Sequence, residues 1–333
     1  MRILIVSDAW VPQINGVVRT LQKTRAELEA LGHVVEVVGP ERFRTMPCPT
    51  YPEIPLALFP ARGLTEIVDA WQPESIHIAT EGPLGQATRK LCVKRGWAFT
   101  TSFHTRFPEY IEARFGIPER WIYRFMRGFH NQATRTLVTT PSMKARLEER
   151  GFRNLVIWSR GVDTQQFHPF AERVIDLPRP IFMNIGRVAV EKNLEAFLKL
   201  DLPGSKLVVG DGPMLEQLRR AYPEVTFVGA KQGEELARYY ALGDVFVFPS
   251  RTDTFGLVLL EALASGVPVA AFPVEGPIDV VTDPAVGMLD EDLRAACLGA
   301  LGKDREACRA HALRFSWSAC AQTFQDNLVP LTG

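Results

Sequence analysis

The sequence predicts an α/β protein of two domains, each a mostly parallel sheet flanked by helices. Three observations predict it. The chain has 333 residues, too many for one core of ordinary size and enough for two. Strand-like runs rich in Val, Ile and Phe alternate with helix-like segments, the pattern of βα units. That alternation runs to about residue 165 and then starts again.

The elements follow in order. "RILIVSD" reads as a strand, and "VVRTLQKTRAELEALG" as a helix that Gly32 stops. "HVVEVVGP", "SIHIAT" and "AFTTSFH" are further strands, with the helical "LGQATRKLCVKRG" between the last two and another helix after them. The proline-marked "VDTQQFHPFAERVIDLPRP" reads as a linker. Beyond it come five strand candidates: "RPIFMNIGR", "SKLVVGDGP", "VTFVGA", "DVFVFPS" and "VPVAAFP". The expected domains are therefore 1–165 and 166–316, with a cleft between them.

Composition narrows the class. Hydrophobic residues make up 46% and charged residues 23%, as in soluble globular proteins. The five cysteines are scattered without a CxxC pair, which argues against a zinc site or a disulfide framework and for a reducing, cytoplasmic setting. "MRILIVSDAW" reads as a strand and not as a leader. No run approaches the roughly 18 apolar residues of a spanning helix. The net charge of zero divides unevenly: residues 1–165 hold 22 Lys and Arg against 16 Asp and Glu (+6), the remainder 16 against 22 (−6). A basic half and an acidic half suit two different partners.

In open α/β sheets ligands sit beyond the carboxyl ends of the strands, so the loops after strands carry the chemistry. "SDAWVPQINGVVRTL" lacks the GxGxxG of a dinucleotide-binding domain. It offers Gly16 at a helix entrance, where free amides would meet a phosphate, although Asn15-Gly16 is also an ordinary turn. In "NIGRVAVEKNLEAF", Arg187 and Lys192 supply a planar fork and a compact charge suited to a diphosphate; solvated bases in a loop look the same. The glycines of "VVGDGPMLEQL" read first as a turn. "SRTDTFGLVLLEALASG" reads as a loop entering a helix that Gly266 stops. Amides around Phe255, Gly256 and Leu257 are free helix-start donors. Asp253 is placed to accept from sugar hydroxyls, and Glu261, two turns in, from both ribose hydroxyls. On an ideal helix the two acids stand about 12 Å apart. A hydrolytic carboxylate pair needs roughly 5–10 Å, so the spacing suits gripping the two ends of one elongated ligand.

These loops resemble those of the retaining glycosyltransferases of family 4, whose GT-B fold has two Rossmann-like domains with parallel sheets facing an interdomain cleft. The resemblance runs through "PQINGVVRTL", "FHTRFPEY", "TPSMKARL", "SRGVDTQQFHP", "NIGRVAVEKNLE", "VVGDGP", "YYALGDVFVFPS" and "TDTFGLVLLEALASGVPV". "FSWSACAQTF" resembles the family's terminal helix, which implies that about 317–333 cross back onto the first domain. The resemblance implies that Arg187 and Lys192 hold the nucleotide diphosphate, that Glu261 binds the ribose, and that amides near Phe255–Leu257 meet sugar and phosphates. It places Gly16 beside the diphosphate and makes His104 the active-site histidine near the donor sugar, completing a catalytic set of His104, Arg187, Lys192 and Asp253. Asp253 stands where the family commonly has Glu, one methylene longer. Candidate base contacts lie near Gly229.

The implied chemistry is same-face attack on a nucleotide sugar, the leaving phosphate accepting the acceptor's proton. A UDP-sugar is favoured and GDP-mannose left open. The triplet DTD never occurs and Asp283 and Asp290 lie in separate turns, which does not read as a metal-binding triplet, so no cofactor is expected and a divalent metal should be dispensable. Residues 104–135 carry six Arg against three Glu, with Trp121, Tyr123, Phe125, Met126 and Phe129 interleaved with Arg120, Arg124 and Arg127. Such a segment suits an anionic bilayer, or else a core-facing helix with solvated arginines. The expected acceptor side is thus Asn15, Trp121, Arg124, Phe125 and Arg127, with a lipid acceptor such as diacylglycerol on the inner face of the cytoplasmic membrane and no nucleic-acid partner. A soluble sugar, polyol or natural-product acceptor stays open, as do a GT-B epimerase and a non-catalytic nucleotide-sugar-binding protein.

Overall fold

Each series of βα units closes its own sheet in the computed structural model. It describes residues 1–13, 15–48, 51–104, 118–253 and 255–331, with residues 51–53 described by backbone alone. The chain divides into two compact units, Met1–Ser159 with Trp317–Gly333, and Arg160–Ser316.

The first unit runs β1 (Arg2–Val6), α1 (Gly16–Ala30), β2 (Val34–Val38), β3 (Thr45–Cys48), β4 (Tyr51–Ala57), α2 (Ala61–Trp71), β5 (Ser75–Ile78), α3 (Pro83–Arg95), β6 (Thr100–Phe103), α4 (Glu119–His130), β7 (Arg135–Val138), α5 (Pro141–Glu149) and β8 (Leu155–Ile157). Six parallel strands lie in the order β2-β1-β5-β6-β7-β8, and β3 and β4 form a separate antiparallel hairpin. Ile3 through Val6 are wholly buried, because helices cover both faces of a parallel sheet. Leu64 of α2, Leu84 of α3 and Phe129 of α4 pack on one face around Leu4, Val6, Ile76 and Ile78. On the other face the terminal helix, Trp317–Asn327, packs against α1. Its buried Phe324 lies 4.7 Å from the His77 ring and 5.0 Å from Trp158. Trp158 Nε1 donates to the Cys320 carbonyl at 3.0 Å.

The second unit runs β9 (Ile181–Ile185), α6 (Leu194–Leu198), β10 (Ser205–Val209), α7 (Leu215–Ala221), β11 (Thr226–Phe227), α8 (Gly233–Leu242), β12 (Val245–Phe248), α9 (Leu257–Ala264), β13 (Val269–Ala271), α10 (Pro277–Val280), β14 (Gly287–Leu289), α11 (Leu293–Ala300) and α12 (Arg305–Ala312), followed by the terminal helix, α13, of the first unit. Its strands are parallel in the order β11-β10-β9-β12-β13-β14, the Rossmann arrangement. In both sheets the order reverses beside the first strand, at β1/β5 and at β9/β12. There the strand ends open a crevice for ligands.

Two readings change. The segment taken for a linker packs onto the second unit: Val162 and Phe167 are buried in its core, and Arg309 donates to the carbonyls of Phe167 and Ala264. Its prolines forbid regular structure without preventing burial. The sheets also hold strands at β7, β8 and β14 of three or four residues, too short to show a period.

His311, buried in α12, illustrates a titrating contact. Its Nε2 lies 2.8 Å from the Val280 carbonyl, and its Nδ1 lies 2.5 Å from an Arg314 guanidinium nitrogen. Donating through one nitrogen and accepting through the other requires a neutral ring. Burial, and secondarily Arg314, lower its pKa below the usual 6.5, against the pull of the Val280 bond. A base depressed in the folded state stabilises the fold above its unfolded pKa and loses that contribution as pH falls through the folded value. Urea unfolding should therefore show a midpoint that falls as pH drops below about 6.5, and His311→Gln should flatten that acid limb. An equally steep limb in the variant would contradict the assignment.

Candidate functional site

In the second unit the loops beyond β9, β10, β11 and β12 are tied to one another. The Val188 amide donates to the Asp211 carbonyl at 2.9 Å, and the Met214 amide donates back to Val188 at 3.1 Å. The Gly210 amide donates to the Gly229 carbonyl at 2.9 Å. Gly210 has φ +149°, and a Cβ there would lie 1.8 Å from the Gly186 carbonyl oxygen. That glycine is required by loop-against-loop packing, which the turn reading did not capture. Asn193 Nδ2 donates to the Pro249 carbonyl at 3.0 Å and Ser250 Oγ to the Glu191 carbonyl at 3.3 Å. The loop carrying Arg187 and Lys192 is thereby fastened to the loop carrying Asp253.

The fastening ends in charge. Lys192 Nζ donates to Asp253 Oδ1 at 2.5 Å, with both side chains partly exposed. Asp253 Oδ2 is buried and, among the described residues, has no hydrogen-bond partner. A carboxylate oxygen taken from water without a donor is costly, and an incoming hydroxyl would relieve that cost. Arg187 stands exposed on the same loop. Phe255 is buried in the core and anchors the far end of the Asp253 loop; Thr254 lies outside the described residues.

Gly256, at φ +80°, immediately precedes α9, and among the described residues no side chain caps that start. The first amides of α9 are the donors available to an anion. Because α9 begins only at Leu257, Glu261 sits one turn in, not two. Asp253 lies outside the helix, so the axial-rise distance between the two acids does not apply. Glu261 is 3% exposed, and Tyr240 donates its hydroxyl to Oε2 at 2.6 Å. One of the two oxygens expected to meet a ribose is thus already engaged.

The first unit treats its corresponding helix start differently. Asp8, just after β1, accepts from the Leu84 amide through Oδ1 at 2.9 Å, and from the Gly85 amide at 3.3 Å and the Thr80 hydroxyl at 2.8 Å through Oδ2. Burial raises its pKa, and those hydrogen bonds oppose the rise. The chain's own carboxylate therefore closes α3 at the point where an anion would otherwise sit. The α1 start is occupied too: Asn15 Oδ1 accepts from the Val17 and Val18 amides at 3.0 Å each. Gly16, exposed beside them, does not present the free pair of amides expected of it.

His104 follows β6 with its ring centroid 5.8 Å from Trp158; the rest of "FHTRFPEY" and residues through 117 lie outside the described residues. Helix α4 divides the aromatic-basic segment. Tyr123, Met126 and Phe129 belong to the core, whereas Trp121 and Phe125 are 55% and 59% exposed. With Arg124 and with Arg89 of α3 these two line an open groove of about 430 Å³. Arg120, Arg124 and Arg127 are exposed, and Arg127 donates to the Arg150 carbonyl. Among the described residues no three His, Cys, Asp or Glu side chains gather as a metal site would require. No described helix is long and apolar enough to cross a membrane.

Sequence reasoning missed Asp8, Asn193 and Tyr240. An acid directly after the first strand was a visible signal for Asp8; nothing local marked Tyr240 as the partner of Glu261.

Comparison with known proteins agrees with this arrangement. Residues 14–166 match the family model "Glycosyltransferase Family 4", and residues 179–301 match "Glycosyl transferases group 1". The chain is 31% identical over 317 residues to a GDP-mannose-dependent alpha-mannosyltransferase of Mycobacterium tuberculosis, covering 87% of this chain and 83% of that one. It is 25% identical to the alpha-monoglucosyldiacylglycerol synthase of Streptococcus pneumoniae, covering 90% and 78%. In fold it is similar to the sucrose-phosphate synthase of Thermosynechococcus elongatus, with a TM-score of 0.79 at 20% identity, over 98% of this chain and 97% of that one.

The Tyr240–Glu261 bond gives a direct test. Tyr240→Phe leaves a buried carboxylate short of one donor, and the unfolding free energy in urea should fall by about 1–3 kcal/mol. Unchanged stability would show that Oε2 is satisfied elsewhere.

Proposed function

The chain belongs to the family 4 glycosyltransferases, and from that premise we propose that it moves a mannosyl residue from GDP-mannose to a hydroxyl of a membrane lipid. The observation that carries the reading is the Lys192–Asp253 clasp on the loop that leads into the uncapped start of α9.

The second unit would hold the donor. Arg187, Lys192 and the first amides of α9 face the diphosphate. Asp253 Oδ2 accepts from a sugar hydroxyl. Glu261, steadied by Tyr240, accepts from the ribose, and Gly229 lies toward the base. The family resemblance assigns His104 to the donor sugar. In the reaction the acceptor oxygen bonds to the anomeric carbon as the bond from that carbon to the diphosphate oxygen breaks. The acceptor's proton passes to the departing phosphate on the same face, which retains configuration. Positioned positive charge on the leaving group supplies the acceleration, so a divalent metal is dispensable.

The first unit would present the acceptor. Trp121 and Phe125, flanked by Arg120 and Arg124, form an apolar and cationic surface that suits an anionic bilayer. The name of the pneumococcal relative supports a lipid acceptor, and that of the mycobacterial relative supports the donor. The same pneumococcal relative favours a second reading, a glucosyl donor.

Turnover with a panel of GDP- and UDP-sugars, in EDTA, with and without vesicles of diacylglycerol and anionic phospholipid, tests all of this. GDP-mannose should be consumed, and lipid mannosylated, only when vesicles are present. Turnover of UDP-glucose alone would select the second reading, and no turnover of any donor would overturn both. Arg187→Ala should lower kcat/KM about 100-fold or more. Replacing Trp121 and Phe125 together by Ser should reduce co-sedimentation with the vesicles while leaving donor affinity unchanged.

A further inference from the structure

A second carboxylate stands at the strand ends of the first unit. Glu81 lies three residues beyond β5, beside the reversal of strand order, with its side chain 24% exposed. Its Oε1 is 2.9 Å from Nε2 of His130, the wholly buried last residue of α4. His130 Nδ1 is 2.9 Å from Thr101 Oγ1, which is 2.9 Å from Thr136 Oγ1. The rings of Phe103 and Phe129 pack against His130.

One consistent set of donors runs through this chain. The Thr101 hydroxyl donates to Nδ1 and Nε2–H donates to Glu81, while the Thr136 hydroxyl lies 2.9 Å from Thr101 Oγ1 and 3.4 Å from the His130 carbonyl, either of which accepts its proton. Buried polar groups are tolerated only when satisfied, and a satisfied network fixes its members in place. Every buried member here is satisfied, and the network terminates on one oxygen of a partly exposed carboxylate. Gln86 Nε2 also donates to the Glu81 backbone carbonyl at 3.2 Å. Neighbouring Asp8 spends both oxygens on α3 and Thr80, whereas Glu81 Oε2 has no partner among the described residues.

We propose that Glu81 anchors the acceptor by accepting a hydrogen bond from a headgroup hydroxyl, and that His130 is the positioning residue that orients it. This rests on the reading that the first unit presents the acceptor. A carboxylate takes hydroxyl donors and repels phosphate, so it favours an uncharged hydroxyl-bearing headgroup at that point.

Glu81→Gln tests the anchor, because the amide oxygen still accepts from His130 while the negative charge is gone. With diacylglycerol presented in mixed vesicles, the acceptor KM should rise about tenfold or more, the worth of one charge-assisted hydrogen bond. Donor affinity, measured by titration with the nucleotide sugar, should stay within about twofold. His130→Gln should raise the acceptor KM in the same direction and by less. A purely structural role would lower the melting temperature or kcat and leave the acceptor KM alone. An acceptor KM within about twofold of wild type in Glu81→Gln, or a matching loss of donor affinity, overturns the proposal while the transferase reading stands. Failure of the wild type to glycosylate any vesicle lipid removes both.

Discussion

A helix that begins without a cap leaves donors pointing at nothing, and something must meet them. This protein meets that constraint in two opposite ways. In the first unit Asp8 reaches from the end of β1 and takes the Leu84 and Gly85 amides of α3. In the second, α9 follows a glycine and has no side-chain cap among the described residues. One reversal point is closed by the chain's own carboxylate, and the other is where the proposed donor's diphosphate would bind. The assignment of the nucleotide diphosphate to the second unit depends on that difference.

The open end works only if the surrounding loops are held still. Backbone bonds join the β9, β10 and β11 loops, and Asn193 and Ser250 join the first of these to the Asp253 loop. The Lys192–Asp253 pair is partly exposed, so its contribution to stability is small. Its effect is positional: it holds Oδ1 and leaves the buried Oδ2 without a partner among the described residues. Glu81 follows the same pattern, with one oxygen held from behind by His130 and the other left over. Of the two, only Asp253 Oδ2 is buried without a donor among the described residues, a state that costs stability in isolation; Glu81 keeps 24% of its side chain exposed.

The two-domain α/β architecture was legible because buried parallel strands are long apolar runs, and "RILIV" and "VFVF" admit few other readings. The family was legible because loops after strands keep their local order in sequence. What escaped was set by contacts between distant residues. Gly210 looks like a turn until Gly186 is seen beneath it. Glu261 looks like an exposed ribose ligand until Tyr240, 21 residues away, is found bonded to it. The aromatic stretch of α4 split into a buried and an exposed face because its helical register, not its composition, decides which rings reach the core. Asn15 was read as an acceptor contact, yet it also caps α1, so the amides expected near Gly16 are already engaged.

Hydrogen–deuterium exchange in the presence and absence of GDP tests the central claim most directly. If the uncapped helix start receives the diphosphate, the amides of Leu257 and Val258 should gain protection on adding GDP, while Leu259, whose amide already donates to the Gly256 carbonyl at 2.9 Å, and Leu84 to Gln86 should exchange as before. Protection at the start of α3, or no change at α9, would contradict the account.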